Sequence, residues 1–249
     1  MRVLIVNDDG IDSVGIRVLA DTFRRDNDIV MVAPKSQRSG FSHSITIDAD
    51  IEYEKIAREY PTYAISGTPA DCTKIGVLYF NDGAPFDLVL SGINNGSNLG
   101  TDILYSGTVA AATEGATHGI PSIAVSLEKW NCAEEKYVEA AEFLKKNIDK
   151  FIEMCSVFGG VVNINYPVTL PFQGVRATPM GINLYNDRYA DVKHGASVRI
   201  VGQPTPHTLN SDDCDVELIK QGFVTVTPLT CDRNDFVALE KLKRSDFFV

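Results

Sequence analysis

The sequence predicts an α/β protein built on a doubly wound, mostly parallel sheet. Short apolar runs that end in polar turns alternate along the chain with segments whose apolar residues have helical spacing. Such continuous apolar runs are typical of strands buried on both faces of a parallel sheet. The 249 residues, 44% of them hydrophobic and 22% charged, are enough for a sizeable core.

The elements follow in order along the first two thirds of the chain. Strands are predicted at 3–6, 29–33, 45–53, 62–66, 87–90, 123–125 and 161–164. Helices are predicted at 14–25, from Thr68 to about Phe80, at 108–117 and from Ala133 to about Met154. Thr68-Pro69-Ala70-Asp71 has the pattern of a capping box with proline at the first helical position, and Asn131 followed by Glu134 resembles a second box.

The pattern changes after Pro171. Extended or hairpin pieces are predicted at 198–201, 215–219 and 223–226, followed by a short helix at 235–243. Because no clean linker separates the two parts, we expect one domain over 1–249. Its α/β core covers about 1–170, and its C-terminal β-hairpin or extended region covers about 171–249.

Composition narrows the function classes. The formal net charge of −10 disfavours a grip on duplex nucleic acid, which needs clustered Lys and Arg, and suits a protein that holds a divalent cation. No run of about 18 apolar residues indicates a membrane span, and the first apolar run is too short and too acidic at its end for a signal peptide, so we expect a cytoplasmic protein. The five cysteines lack a C-x-x-C pair and are interpreted as buried hydrophobes.

Polar clusters follow three of the predicted strands, where ligands bind in open α/β sheets. Asp8 and Asp9 come after the first strand, and two adjacent carboxylates repel each other unless a proton or a cation such as Mg²⁺ or Mn²⁺ lies between them. The alternative is that one of them caps the turn into the next helix. Ser39 and Gly40 follow the second strand, in a loop that is also consistent with ordinary solvated chain.

The third cluster is the segment 91–100, which contains three glycines and three asparagines, Asn95 among them. This composition indicates unusual backbone angles and close approach of a ligand. Ser106, Gly107 and Thr108 then open an Ala-rich helix, whose free N–H groups and hydroxyl form a ready phosphate site. Simple N-capping by the two hydroxyls is the alternative and is compatible with phosphate binding.

Other templates are missing from the sequence. It contains no G-x-G-x-x-G, P-loop, G-x-S-x-G or H-E-x-x-H motif. The four histidines are scattered and are interpreted as structural or surface residues, with a reservation for His43 because it lies near a site loop. Tyr105 is placed to stack on a base, but an aromatic residue in a loop is as often a packing residue.

Taken in order, these segments resemble the SurE (survival protein E) family of 5′/3′-nucleotidases. The resemblance spans nearly the whole chain and is weakest at about 186–215. The stretches that carry it are Ile5-Val6-Asn7-Asp8-Asp9-Gly10, Arg38-Ser39-Gly40, Ser66-Gly67-Thr68-Pro69-Ala70-Asp71, Ser91-Gly92-Ile93-Asn94, Tyr105-Ser106-Gly107-Thr108, Glu114-Gly115, Gly119-Ile120-Pro121 and Gln221 to Leu229.

The resemblance implies a Rossmann-like core and a divalent-metal-dependent phosphomonoesterase for nucleoside 5′- and 3′-monophosphates, with short polyphosphate as a further substrate. It implies metal ligation by Asp8, Asp9, Ser39 and Asn95, and a homodimer or homotetramer in which C-terminal elements are exchanged between subunits.

The sequence leaves three alternatives open: the identity of the nucleophile, catalysis against sensing, and the substrate. Metal-activated water is the favoured nucleophile, with Asp8 or Asp9 as base and Ser106, Gly107 and Thr108 on the phosphate. The competing route makes Asp8 a nucleophile, although the D-x-D-x-[TV] pattern associated with that class is missing. A non-catalytic nucleotide or phosphate sensor would use the same loops, and a hydrolase of another phosphomonoester would differ in its pocket rather than its chemistry.

Overall fold

The computed structural model describes residues 1–193 and 195–245. Its strands are β1 Arg2–Val6, β2 Asp28–Pro34, β3 Tyr53–Lys55, β4 Thr62–Ile65, β5 Leu88–Asn94, β6 Ser122–Leu127, β7 Val161–Tyr166, β8 Gly174–Ala177, β9 Arg188–Lys193, β10 Ser197–Val201 and β11 Phe223–Leu229. Its helices are α1 Val14–Phe23, α2 Pro69–Leu78, α3 Gly107–Thr117, α4 Glu134–Lys146, α5 Ile148–Phe158, α6 Asp215–Leu218 and α7 Phe236–Lys243.

A nine-stranded sheet in the order β3-β4-β2-β1-β5-β6-β7-β11-β8 confirms the predicted fold class. The six strands from β4 to β7 in this order pair in parallel, whereas β3 and β11 run antiparallel to their neighbours β4 and β7. The chain moves from β1 outward to β2 on one side and later to β5 on the other. The strand order therefore reverses at β1, and a crevice forms there at the carboxyl ends of β1 and β5.

The central strands of the sheet are buried on both faces, as the apolar runs predict. In β1, Val3 and Ile5 join the core cluster that includes α1 and α4, while Leu4 and Val6 join the cluster on the α2 side. All four side chains are fully buried. Since successive residues of a strand point to opposite faces, one run of four apolar residues serves two cores.

The two helix starts that flank the crevice have the predicted caps. Thr68 accepts a hydrogen bond from the Asp71 N–H, and the Asp71 carboxylate accepts one from the Thr68 N–H, which completes the capping box. Ser106 caps α3 by accepting from the Val109 N–H at 3.0 Å.

Several predicted elements are wrong. The helix expected at 133–154 is two helices, α4 and α5, separated at Asn147, and its N-cap is Ala133 without a side-chain bond rather than Asn131. In 45–53 only Tyr53 belongs to a strand, and 215–219 forms α6 and the start of a 3-10 turn instead of an extended piece. Strand β5 continues through Asn94, so the polar loop begins four residues later than predicted.

The C-terminal region contributes two strands to the main sheet and forms a separate hairpin. Strand β11 pairs with β7 and β8, whereas β9 and β10 form a separate antiparallel hairpin. The buried carboxylate of Asp215 accepts backbone N–H bonds from Gly100 at 2.9 Å and Gly181 at 2.7 Å, and so ties this region to the crevice loops. The predicted terminal helix is confirmed as α7, capped by Asp235.

His194, one of the four histidines, lies outside the described residues. Within 1–193 and 195–245, no helix is both long enough and apolar enough to cross a bilayer.

Candidate active site

The site lies at the carboxyl ends of β1 and β5, where the strand order reverses. Strand β1 ends at Val6 and delivers Asp8 and Asp9 two and three residues later, and β5 delivers Asn95 one residue after its end. Helix α3 points its N-terminus at the same place, because Thr108 Oγ1 donates to Asp8 Oδ1 at 2.5 Å. Three segments that are far apart in sequence thus meet at one edge of the sheet.

Asp8 is held tightly in a buried position. Asp8 is 4% exposed. A Cβ built on Gly107 would lie 2.9 Å from Asp8 Oδ2 and 2.9 Å from the ring of Pro69. Only glycine fits between α3 and the carboxylate at this position. The close approach brings the helix N-terminus, with its partial positive charge, onto Asp8.

The two carboxylates carry charge that the surrounding protein does not neutralise. Burial raises the pKa of Asp8 to about 6; the Thr108 hydrogen bond lowers it in part, and the Asp9 charge adds to the rise. Burial likewise raises the pKa of Asp9, against a hydrogen bond from the Asn95 N–H at 2.9 Å. Within the described residues, neither carboxylate has a Lys, Arg or His partner within salt-bridge distance.

Each carboxylate keeps one oxygen without a hydrogen bond from the described part of the chain. Asp8 uses Oδ1 for Thr108 and leaves Oδ2, while Asp9 uses Oδ2 for the Asn95 N–H and leaves Oδ1. The Asn95 side-chain oxygen accepts the Asn131 N–H at 2.7 Å and retains a second lone pair. Two carboxylates and an amide form an all-oxygen donor set, which is the chemistry that Mg²⁺ and Mn²⁺ prefer.

Ser39 and Gly40 lie on the exposed rim of the site. Their loop is anchored because the Arg38 N–H donates to the Asp8 carbonyl at 2.7 Å. Ser39 Oγ accepts from Gln37 Nε2 at 3.0 Å, and it makes no direct bond to Asp8 or Asp9. The described residues contain no group of three or more His, Cys, Asp or Glu side chains with metal-site geometry, so a metal here depends on hydroxyl and amide ligands beside the two aspartates.

The start of α3 offers donors for an anion. Ser106 is buried and accepts from Val109, so its hydroxyl hydrogen is free to donate outward. The Gly107 N–H has no partner among the described residues, as expected at the first helical position. The Thr108 hydroxyl is committed to Asp8, so any phosphate contact of this residue depends on its backbone N–H.

A second polar cluster lies farther along the same helix, and it was not predicted from the sequence. Glu114 is 5% exposed, and it accepts from His43 Nε2 at 2.8 Å and from Lys74 Nζ at 2.8 Å. The His43 hydrogen bond, with Lys74 beside it, lowers the pKa of Glu114 to about 2. Two sequence signals touched this cluster separately, the position of His43 near a site loop and the Glu114-Gly115 stretch of the family resemblance, but nothing in the sequence paired residues that lie 71 positions apart.

Comparison with known proteins agrees with this architecture. The family model for survival protein SurE matches residues 3–187. The chain belongs to the SurE family. A protein named 5′-nucleotidase SurE from Clostridium botulinum (strain Eklund 17B / Type B) is 38% identical over 250 residues, covering 98% of this chain and 99% of that protein. A protein of the same name from Caldanaerobacter subterraneus subsp. tengcongensis is 38% identical over 246 residues, covering 96% and 95%.

A solved SurE structure has the same fold. The crystal structure of the SurE protein from Aquifex aeolicus superposes with a TM-score of 0.81 at 32% sequence identity, covering 98% of each chain. The SurE resemblance predicted from the sequence motifs is therefore confirmed, and it extends beyond the core into the C-terminal region.

Proposed function

We propose that this SurE-family chain is a divalent-cation-dependent phosphomonoesterase. It hydrolyses nucleoside 5′- and 3′-monophosphates to nucleoside and phosphate, and it also acts on short polyphosphate. The observation that carries the proposal is the pair of adjacent carboxylates, Asp8 buried and Asp9 half-buried, beside a helix N-terminus and without a cationic partner among the described residues. The names of the relatives, 5′-nucleotidase SurE, support the nucleotide as substrate.

The proposed cation is Mg²⁺ or Mn²⁺, held by Asp8, Asp9, Ser39 and Asn95. The oxygen donor set supports this assignment, and so does the raised pKa of both aspartates, which burial causes and which no nearby cationic side chain of the described residues offsets. When bound, such a cation supplies positive charge for phosphoryl oxygens and lowers the pKa of water at the site.

Side chains and backbone N–H groups of the chain bind the phosphate and accept the proton. The Ser106 hydroxyl and the N–H groups of Gly107 and Thr108 donate to phosphoryl oxygens and stabilise the charge that grows in the transition state. Asp8 or Asp9 accepts the proton of the attacking water. The new bond joins that water oxygen to phosphorus, the bond from phosphorus to the nucleoside oxygen breaks, and the nucleoside oxygen takes a proton from solvent.

A phosphorylated Asp8 is the alternative to direct attack by water. Because Thr108 engages Asp8 Oδ1, nucleophilic attack would fall to Oδ2. Rapid quenching of a turnover mixture followed by peptide mass spectrometry distinguishes the routes. A phosphorylated peptide containing Asp8 would replace the water mechanism with the covalent one.

The activity is tested by phosphate release from a panel of 5′- and 3′-nucleoside monophosphates, short polyphosphate and p-nitrophenyl phosphate. Each substrate is assayed with Mg²⁺, Mn²⁺ or EDTA. We expect release that requires metal and prefers nucleotides. Activity on p-nitrophenyl phosphate alone would reject nucleotides as the substrates. Nucleotide binding without phosphate release under any metal would favour the non-catalytic sensor. Asp12→Asn is a matched control, since Asp12 is an exposed aspartate in the same loop.

We also propose a cytoplasmic homodimer or homotetramer. All five cysteines are free thiols, which is typical of a reducing compartment. The β9–β10 hairpin exposes apolar side chains, with Tyr189 at 70%, Val198 at 64% and Ile200 at 56% exposure. A two-stranded hairpin of this kind needs a partner surface, here a second copy of the chain. Light scattering should give a mass of at least two chains, and replacing Val198 and Ile200 by Ser should lower it.

A further inference from the structure

A cavity of about 450 Å³ extends along α3 from the proposed phosphate site. Ser106, at the N-terminus of the helix, lines it at one end, and Thr113 and Thr117 line it two and three turns farther on. Aliphatic side chains from three other segments complete much of the wall: Ile103, Leu104, Met180 and Leu229. Its volume lies within the range of about 300–1,000 Å³ that is usual for small-molecule sites.

His43 also lines this cavity, and its ring is fixed from behind. The loop that carries it is anchored by the Ser42 N–H, which donates to the Tyr105 carbonyl at 3.1 Å. The ring itself is held by Glu114, which Lys74 keeps ionised. A carboxylate partner requires a proton on Nε2, so neutral His43 presents Nδ1 as an acceptor. Nδ1 has no hydrogen-bond partner within 1–193 and 195–245.

We propose that this cavity holds the nucleoside half of the substrate, and that His43 Nδ1 accepts a hydrogen bond from a hydroxyl or amino group of that nucleoside. The inference rests on the proposed nucleotidase function and adds the place where the nucleoside binds. It makes His43 a specificity residue and Glu114 a positioning residue, neither of which touches the phosphate.

His43 is held too far along α3 from the proposed phosphate site to act as the general acid of the reaction. Glu114 lies six positions beyond Thr108, which is on the order of 9 Å at 1.5 Å per residue. A ribose and base span a distance of that order, whereas a group that protonates the leaving oxygen must lie within hydrogen-bond reach of the phosphoryl end. The fixed histidine is therefore matched to the far end of a nucleotide.

Two substitutions of His43 separate ligand binding from the Glu114 contact. The amide of glutamine reaches the position of Nε2 and keeps the bond to Glu114 but removes the acceptor at Nδ1. The amide of asparagine occupies the position of Nδ1 and loses the bond to Glu114. The measurements are kcat/KM for nucleoside monophosphates and the inhibition constant of inorganic phosphate, both with Mg²⁺.

We expect His43→Gln to lower kcat/KM for nucleotides by about 2- to 12-fold, the value of one neutral hydrogen bond, with phosphate inhibition unchanged. His43→Asn should retain more of the nucleotide activity than His43→Gln. The matched control is His118→Gln, because His118 Nε2 lies 3.3 Å from Glu114 Oε1 but does not line the cavity. This control should match the wild type.

Three results would overturn the inference: equal kcat/KM in His43→Gln and wild type, a larger loss in His43→Asn than in His43→Gln, or a parallel weakening of phosphate inhibition. The second pattern would assign His43 a purely structural role through Glu114. A wild-type protein that releases no phosphate from any nucleotide would instead refute the proposed function on which the inference rests.

Discussion

Helix α3 has a buried carboxylate near each end, and the two have opposite properties. Asp8, at the N-terminus of the helix, is 4% exposed, and its pKa is raised to about 6. Glu114, near the C-terminus, is 5% exposed, and its pKa is lowered to about 2. Both side chains are largely shielded from solvent, but burial is the main cause of the raised pKa of Asp8, whereas at Glu114 the hydrogen bond from His43 and the charge of Lys74 outweigh burial. Lys74 neutralises Glu114 and His43 donates a hydrogen bond to it, whereas Asp8 has Asp9 beside it and a neutral hydroxyl as its donor.

The difference separates a structural carboxylate from one that requires a ligand. A buried ion pair that the chain completes by itself orders the side chains around it. Two adjacent like charges of which one is buried destabilise the fold until a cation or a proton neutralises them. We therefore expect Asp8 and Asp9 to matter most for catalysis, and Glu114 to matter most for stability and for the position of His43.

The largest expected effect is on turnover. Asp8→Asn and Asp9→Asn should each lower kcat for nucleoside monophosphates by about 10²- to 10⁴-fold, because each removes a charge that holds the cation or accepts the proton. Circular dichroism should show an intact fold. Turnover close to wild type in both variants at saturating Mg²⁺ would refute the site assignment.

At acidic pH, the free energy of unfolding should depend strongly on the protonation of Glu114. Its folded pKa of about 2 is lower than its ordinary 4.5, so its contribution to stability is present above pH 4.5 and is lost as the pH falls toward 2. Glu114→Gln should lower the free energy of unfolding by about 1–3 kcal/mol at pH 7 and remove that part of the acid dependence. Urea unfolding at several pH values measures this. Glu135→Gln, which alters an exposed glutamate, is the control, and an equal pH dependence in all three proteins would contradict the ion-pair assignment.

In the metal-free protein, ionisation of Asp8 should lower the free energy of unfolding, whereas ionisation of Glu114 raises it. Its folded pKa of about 6 lies above its ordinary 3.8, so the native state binds the proton more tightly and loses stability as the pH rises through 6. Asp8→Asn should therefore raise the free energy of unfolding at pH 7.5 in EDTA by about 1–3 kcal/mol. Asp12→Asn should leave it unchanged. Loss of stability in Asp8→Asn would mean that the protein already neutralises this charge.

The smallest effect concerns Ser106. Removing its hydroxyl deletes one phosphate hydrogen bond, so Ser106→Ala should lower kcat/KM by about tenfold. Ser106→Thr keeps both the cap and the hydroxyl and should retain most of the activity. If kcat/KM is unchanged in Ser106→Ala while stability falls by about 1 kcal/mol, the residue is only a helix cap.

Much of the parallel core could be predicted because single segments determine it. Val3–Val6 is apolar on both faces, and Thr68, Pro69 and Asp71 carry a capping box within four residues. The convergence of Asp8, Asn95 and Thr108 also follows from the sequence, since parallel strands place their following loops at one edge of the sheet. Their roles in catalysis and metal binding stay predictions.

The wrong predictions have tertiary causes. Asn131 was expected to cap a helix, but its N–H donates to Asn95 and its backbone has φ +56°, so a contact with a distant loop overrides the local pattern. The run at 215–219 has strand-like residues, but Asp215 is buried and accepts N–H groups from two distant segments, which favours a helix start. No periodicity could pair His43 with Glu114, because loop packing alone brings them together.

Calorimetric titration of the metal-free protein with Mn²⁺ is the most direct test of the claim that Asp8 and Asp9 form a cation site. We expect one saturable site in the wild type and in Glu114→Gln, with binding weakened at least about tenfold in Asp8→Asn and Asp9→Asn. Equal Mn²⁺ binding in the wild type and both aspartate variants, or no binding to the wild type, would contradict it.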